Sequence, residues 1–357
     1  MAQIRSKPFG VTKEGANVTE YILSNPGGLT VSVLDYGCVI KSIIVPAKNG
    51  PVDVVVGHDT MADYEADFNS SGSTCCGAFV GRYANRIENA VFTVGGKTYQ
   101  LEANNGPNHL HGCFSRKLYR VKSFGDTLLM EAESPDGEDG FPGNLKIAVR
   151  YTLTDDNTFR MDYRVSSDAD TIVNLTNHSY FNLDGGGDVL NQKLRIYASR
   201  YLEGNNQCCP TGAILPVADT PMDFTAGKLI GREIDTGFAQ TTMVGGGYDH
   251  CYVIDRARGS SQSICAWATS DKTGISMKLY TTQPGIQLYT ANFLQDCPSP
   301  GKGGKPLQKY GGFALETQHY PCSPSHPEFP STVLRAGKVF RATTTLRFFT
   351  GKQCGKL

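Results

Sequence analysis

The 357-residue chain is 39% hydrophobic and balances 34 basic against 34 acidic residues, the composition of a soluble globular protein. That balance, with no long basic run, leaves no electrostatic footprint for nucleic acid or for an anionic membrane surface. No apolar stretch approaches the roughly 18–20 residues of a membrane span, and the first ten residues lack the apolar core of a secretory signal, so a cytoplasmic location is expected.

In chain order, the first clear element is residues 30–35, Thr30-Val-Ser-Val-Leu-Asp35, whose alternation suits a half-buried strand. A turn follows at Ala47-Lys-Asn-Gly50. Residues 60–68 give the one helix candidate, with Asp59 or Thr60 as its cap. After a turn at Ser134-Pro-Asp-Gly137, residues 145–153 and 159–165 alternate cleanly and predict two more strands. Asp184-Gly-Gly-Gly187 predicts another turn, and residues 275–280 and 343–349 predict further strands. Between these last two, residues 298–306 read as a long surface loop. There is no strand–helix–strand rhythm, no repeat and no composition break. The expectation is all-β: one large antiparallel β-sandwich with few short helices, spanning residues 1–357 as a single domain.

Eleven cysteines are an odd number with no repeated C-x-x-C spacing, and two neighbouring pairs occur at Cys75-Cys76 and Cys208-Cys209. They read as reduced thiols rather than a disulfide framework.

Chemistry is best sought around the seven histidines. His109 and His111 stand two apart in Asn104-Asn-Gly-Pro-Asn-His-Leu-His-Gly112, a spacing that puts both rings on one strand face. They could ligate a metal, but no third ligand stands at a recognisable spacing, and one functional histidine with the other packed or solvent-facing is the simpler reading. His178 lies in Asn174-Leu-Thr-Asn-His-Ser-Tyr-Phe-Asn-Leu183, where polar residues crowd a strand-like run. Such a run lines a wet cleft or forms an internal hydrogen-bond network. Glu316, in Phe313-Ala-Leu-Glu-Thr-Gln-His-Tyr320, is a carboxylate inside an apolar strand. It is either a solvent-facing edge residue or, if desolvated, a base with a raised pKa. The glycine-rich turn before Asp249 is followed by neither a Lys-Ser/Thr pair nor a helix, so it does not read as a phosphate cradle.

Seven segments, taken together and in order, closely resemble the galactose mutarotase (aldose 1-epimerase) family. They are Gly81-Arg-Tyr-Ala-Asn-Arg-Ile87, Gly106-Pro-Asn-His-Leu-His-Gly112, Asp136-Gly-Glu-Asp-Gly-Phe-Pro-Gly143, Asn177-His-Ser-Tyr-Phe-Asn-Leu183, Tyr248-Asp-His250, Pro284-Gly-Ile-Gln-Leu-Tyr289 and Leu315-Glu-Thr-Gln318. The resemblance implies a β-supersandwich that opens a sugar ring and recloses it as the other anomer, with no metal or cofactor. It also implies roles: Glu316 as general base, His178 as general acid, and Asn85, Arg86, His111, Asp249 and Gln287 as sugar-binding residues, with Ser179 and Tyr180 nearby. Base and acid are expected on opposite sides of the hemiacetal. The partner is then a small aldose, handled by a monomer or weak homodimer. The chain departs from the family at Cys113, where a glycine is common, and at Tyr320 and Cys322, where Trp and Asp are common. Those departures bear on sugar preference.

Three rivals remain at this level. A hexose-6-phosphate 1-epimerase would need a basic cleft mouth, for which Lys302, Lys305 and Lys309 are candidates. A non-catalytic carbohydrate-binding relative would have no need of both Glu316 and His178. A relative recruited to another ring-opening or cyclisation reaction could use the same acid–base pair.

Overall fold

The computed structural model describes residues 2–256 and 261–351, and its regular structure is mainly antiparallel strand. Two large sheets dominate, of nine and six strands, beside a five-stranded N-terminal meander from Gln3–Val11 to Gly50–Asp53. The nine-stranded sheet is centred on Leu145–Leu153, Thr158–Ser167 and Val339–Thr350. The first two bury every second residue, as their sequence alternation predicts, so each carries one apolar face. Thr30–Leu34 behaves differently, because almost all of it is buried. Val31 and Val33 join the main core, Leu34 joins a second apolar cluster, and the Ser32 hydroxyl is satisfied by Glu20.

The six-stranded sheet carries the chemistry. Its strands are β1 (Tyr180–Phe181), β2 (Arg200–Gly204), β3 (Pro210–Pro216), β4 (Asp249–Val253), β5 (Gly285–Tyr289) and β6 (Phe313–Gln318). Their spatial order is β1-β6-β5-β4-β2-β3. Strand periodicity sorts the side chains of β4, β5 and β6. Tyr252, Ile286, Leu288, Phe313 and Leu315 enter the main core, where they meet the nine-stranded sheet and the meander. Asp249, Gln287, Tyr289 and Glu316 therefore belong to the opposite face. That main core draws side chains from Ala2 to Phe348.

The predicted helix forms as α1 (Met61–Phe68), and its cap is Thr60, whose hydroxyl accepts from the Asp63 N–H at 3.2 Å. A second, five-residue helix at Ala239–Met243 has no signature in the sequence. The 298–306 loop is tied down more firmly than its composition suggests. Lys302 reaches inward to Asp53 at 2.7 Å and to the Val55 carbonyl at 2.8 Å, and the Ser299 hydroxyl donates to the Asp63 carbonyl. No helix among the described residues is long and apolar enough to cross a membrane. The ten cysteines among them are all free thiols.

Candidate active site

The outer face of the six-stranded sheet forms the floor of a cleft of about 680 Å³, within the range of roughly 300–1,000 Å³ usual for small-molecule sites. Glu316 of β6 sits on this floor, 2% exposed, with Gln287 of β5 directly opposite in register. One strand further, Asp249 begins β4 opposite Tyr289, and both line the cleft. The glycines before Asp249 serve a structural end. Tyr248 donates its N–H to the Thr290 hydroxyl, and Asn292 donates to the Val244 and Tyr248 carbonyls. A Cβ on Gly247 would run into the Asn292 side-chain oxygen, and its φ is +138°. Only glycine lets the chain pass there.

His178 arrives from the segment before β1. Its backbone is fixed by hydrogen bonds with Ala78 and Gly77, and the Asn177 amide donates to the carbonyls of the same two residues. The His178 Nε2 lies 3.5 Å from the nearer Glu316 oxygen, so the two side chains touch rather than flank a gap. A contact of this kind is compatible with groups that serve one hemiacetal carbon. The anomeric hydroxyl and the ring oxygen of a sugar are bonded to the same carbon, so one pair of neighbouring groups can reach both.

The other wall comes from two short strands, Arg86–Ile87 and His109–Leu110, which pair with each other. His111 does not stay on the face of His109, because its φ of +68° takes it out of the strand. His109 packs edge-on against Phe141 and bonds the Glu102 carbonyl, while His111 turns into the cleft. The His111 ring then stands perpendicular to His178, with centroids 5.3 Å apart. Its Nδ1 accepts the Asn85 N–H at 3.2 Å, so in the neutral ring Nε2 carries the proton and points a donor at any ligand. Arg86 is oriented by Asn105, whose side-chain oxygen accepts from Nε at 3.0 Å.

Of the nine site residues named from the sequence, seven line this cleft: Asn85, Arg86, His111, His178, Tyr180, Asp249 and Glu316. Two do not. Ser179 is turned away, its hydroxyl donating to Asn177 at 2.7 Å, which bends the chain so that both His178 and Tyr180 reach the cleft. Gln287 lies behind Asp249 and donates to its carboxylate at 2.6 Å, so it orients Asp249. Tyr180 itself donates its hydroxyl to the Thr74 carbonyl and offers only its ring edge and face, 4.9 Å from His178. Sequence reasoning missed Tyr289, Cys208 and Phe293, which also line the cleft. Tyr289 could have been found, since it follows Gln287 by two in a strand. Phe293, 51% exposed at the rim, carries no sequence signal.

Three features settle which protein family builds such a cleft. A profile of the family described as aldose 1-epimerase matches residues 19–347. Rat galactose mutarotase is 35% identical over 98% of this chain and 99% of its own, and the aldose 1-epimerase of Escherichia coli K12 is 36% identical over 91% and 94%. A solved GalM/aldose epimerase homologue from C. elegans superposes with a TM-score of 0.82 at 29% identity, covering 98% of this chain and 99% of its own. The chain belongs to the aldose 1-epimerase family. A Lactobacillus acidophilus galactose 1-epimerase shares the fold at a TM-score of 0.85 and 24% identity, covering 98% of this chain and all of its own.

In this aldose 1-epimerase family member the electrostatics of the cleft follow from burial. Loss of solvent raises the Glu316 carboxyl well above the ordinary range; the charge of Asp249 adds to this and Arg86 opposes it. Burial likewise lowers His178 to about 4 and depresses His111. Asp249 is also raised by burial, against the opposing pull of Arg86 and Gln287. Burial therefore favours the uncharged form of both Glu316 and His178. Shifting a proton from one to the other across the 3.5 Å contact changes no net charge.

His111, His178 and Glu316 each have a potential ligand atom within 4.8 Å of the others, so they are the residues of the cleft that could hold a metal. The Asn85 bond to His111 Nδ1 counts against that use, because it leaves a protonated nitrogen facing inward.

Proposed function

We propose that this protein interconverts the α and β anomers of free aldose sugars such as glucose and galactose, using only its own side chains. The observation that carries the assignment is the contact of a buried carboxyl and a buried imidazole, 3.5 Å apart on the floor of a sugar-sized cleft. Glu316 takes the proton of the anomeric hydroxyl while His178 gives one to the ring oxygen. The ring opens to the aldehyde, the C1–C2 bond rotates, and the reverse transfers close the ring on the other carbonyl face. Every proton removed is returned, so the reaction needs no net proton, electron or cofactor. Arg86, Asp249, His111 and Asn85 hold the sugar hydroxyls, and positioning of this kind lowers the barrier before any proton moves.

Free rather than phosphorylated sugars are favoured by where the lysines lie. Lys302 is paired with Asp53, Lys309 donates to the Gly245 carbonyl, and none of Lys302, Lys305 and Lys309 lines the cleft. Polarimetry on fresh α-D-glucose and α-D-galactose should show rapid approach to rotational equilibrium, and the corresponding 6-phosphates should compete poorly. Preference for the phosphates would overturn the assignment, and binding without turnover would make the protein a carbohydrate binder.

Asp249→Ala tests the binding set. A lost hydroxyl contact of about 1–3 kcal/mol should reduce kcat/KM by roughly 5- to 150-fold, with KM raised as well as kcat lowered. Unchanged kinetics would confine Asp249 to holding its turn.

The core running from Ala2 to Phe348 supports a single domain over residues 1–357. The free thiols suit the cytoplasm.

A further inference from the structure

Away from the catalytic cleft, a second cluster of side chains joins three segments of the chain. His58 precedes α1, Asp67 lies near the end of α1, and Cys297 immediately precedes the 298–306 loop. Ligand atoms of the three lie within 4.8 Å of one another. His58 Nδ1 is 2.7 Å from the Pro300 carbonyl, which accepts but cannot donate, so this nitrogen carries a proton. The remaining nitrogen, Nε2, faces an Asp67 oxygen at 3.2 Å, and both side chains are fully buried. Two lone pairs cannot face each other at that distance in a dry site. A cation must lie between them, and the smallest is a proton.

A proton answers only that one edge, yet Cys297 adds a third corner, its sulfur within 4.8 Å of a ring nitrogen of His58 and a carboxylate oxygen of Asp67. Tetrahedral zinc with N and O ligands at about 2.0–2.1 Å requires an N···O edge of about 3.3 Å, which the His58–Asp67 pair already has. The surroundings also match a metal site. The ring is oriented by a backbone carbonyl through its other nitrogen, and the carboxylate is oriented by the Thr74 N–H at 2.7 Å and the Thr74 hydroxyl. Cys297 is only partly buried, which leaves a way in and room for water as a fourth ligand.

We propose that His58, Asp67 and Cys297 form a binding site for a thiophilic divalent cation of the Zn²⁺ type, separate from the catalytic pair. Binding displaces the bridging proton and the thiol proton. Through Thr74, a wall residue of the cleft, the ion braces the 69–75 segment that lines the sugar site. Its role is structural, so it is not part of the proton transfers.

Cobalt is the probe, because a thiolate bound to Co²⁺ gives a near-ultraviolet charge-transfer band. Metal-free full-length protein should develop that band with one equivalent of Co²⁺. The band should be lost in Cys297→Ala and kept in Cys208→Ala, whose thiol lies in the catalytic cleft. Zn²⁺ should raise the Tm of wild type and not of Cys297→Ala, by the linkage expected of a ligand that binds the folded state. EDTA should reverse that rise and leave kcat unchanged. Absence of the band, its survival in Cys297→Ala, or its loss in Cys208→Ala overturns the site. If Cys297→Ala does not fold, Cys297→Ser serves in its place, with the same outcomes. A fall in kcat on chelation would instead move the metal into the chemistry and overturn the structural role. Since the spectrum and melting are read without sugar, they stand or fall independently of epimerase activity.

Discussion

Glu316→Gln is expected to lower kcat by roughly 10²- to 10⁴-fold, the usual contribution of a positioned general base. Glutamine fills the same volume and can still hydrogen-bond, but it cannot take the anomeric proton. The fold should not suffer. Burial favours the uncharged form of this carboxyl, so the native structure accommodates a neutral side chain there. The variant's Tm should match or exceed that of wild type, because the amide carries no cost of desolvating a charge. Polarimetric turnover and thermal melting measured together decide the matter. Near-wild-type turnover in a folded variant would take Glu316 out of the role of base, and Asp249 would be the next carboxylate to test.

His178→Asn should cost a similar factor, since it leaves the ring oxygen without a proton donor. The double variant should be little worse than either single one, because acid and base act in the same step and losing one forfeits most of what the other contributes. The pH dependence adds a sharper test. Turnover requires a single proton on the pair. At low pH a second proton enters as His178 is titrated near its lowered value of about 4, and activity falls. At high pH the pair loses its remaining proton as Glu316 ionises above the ordinary carboxylate range, and activity falls again. The acid limb thus follows the imidazole and the alkaline limb the carboxyl, the reverse of what ordinary pKa values would give. Strictly, both limbs belong to the pair. His178→Asn should abolish the acid limb near pH 4. An unchanged profile in that variant, or additive losses in the double variant, would separate the two residues mechanistically.

Much of this site is legible in the amino-acid sequence, for reasons that differ by residue. Glu316 stands out because a charged residue in an apolar strand must lie on one of two faces, although all six residues of β6 are buried. Which face holds water is a tertiary fact, fixed only when Phe313 and Leu315 enter the core. The two-residue spacing of His109 and His111 is a poorer guide, since a single left-handed residue breaks strand periodicity and sends the rings apart. Ser179 fails for a related reason. Its hydroxyl satisfies Asn177 in a bend that local sequence does not announce. Gln287 occupies the anticipated face but is taken up by Asp249. The short helix at Ala239–Met243 escapes because five residues are too few to show a helical period.

The register of β5 and β6 also limits how this chain can change in length. A one-residue insertion or deletion upstream within β6 would carry Glu316 into the apolar interior and turn Leu315 or Thr317 toward the sugar. No side-chain repacking could rescue that inversion, because the period of a strand is two. Length variation among descendants of this sequence is therefore confined to the connections, and the distance along the chain from Phe313 to Glu316 should be invariant in every active form.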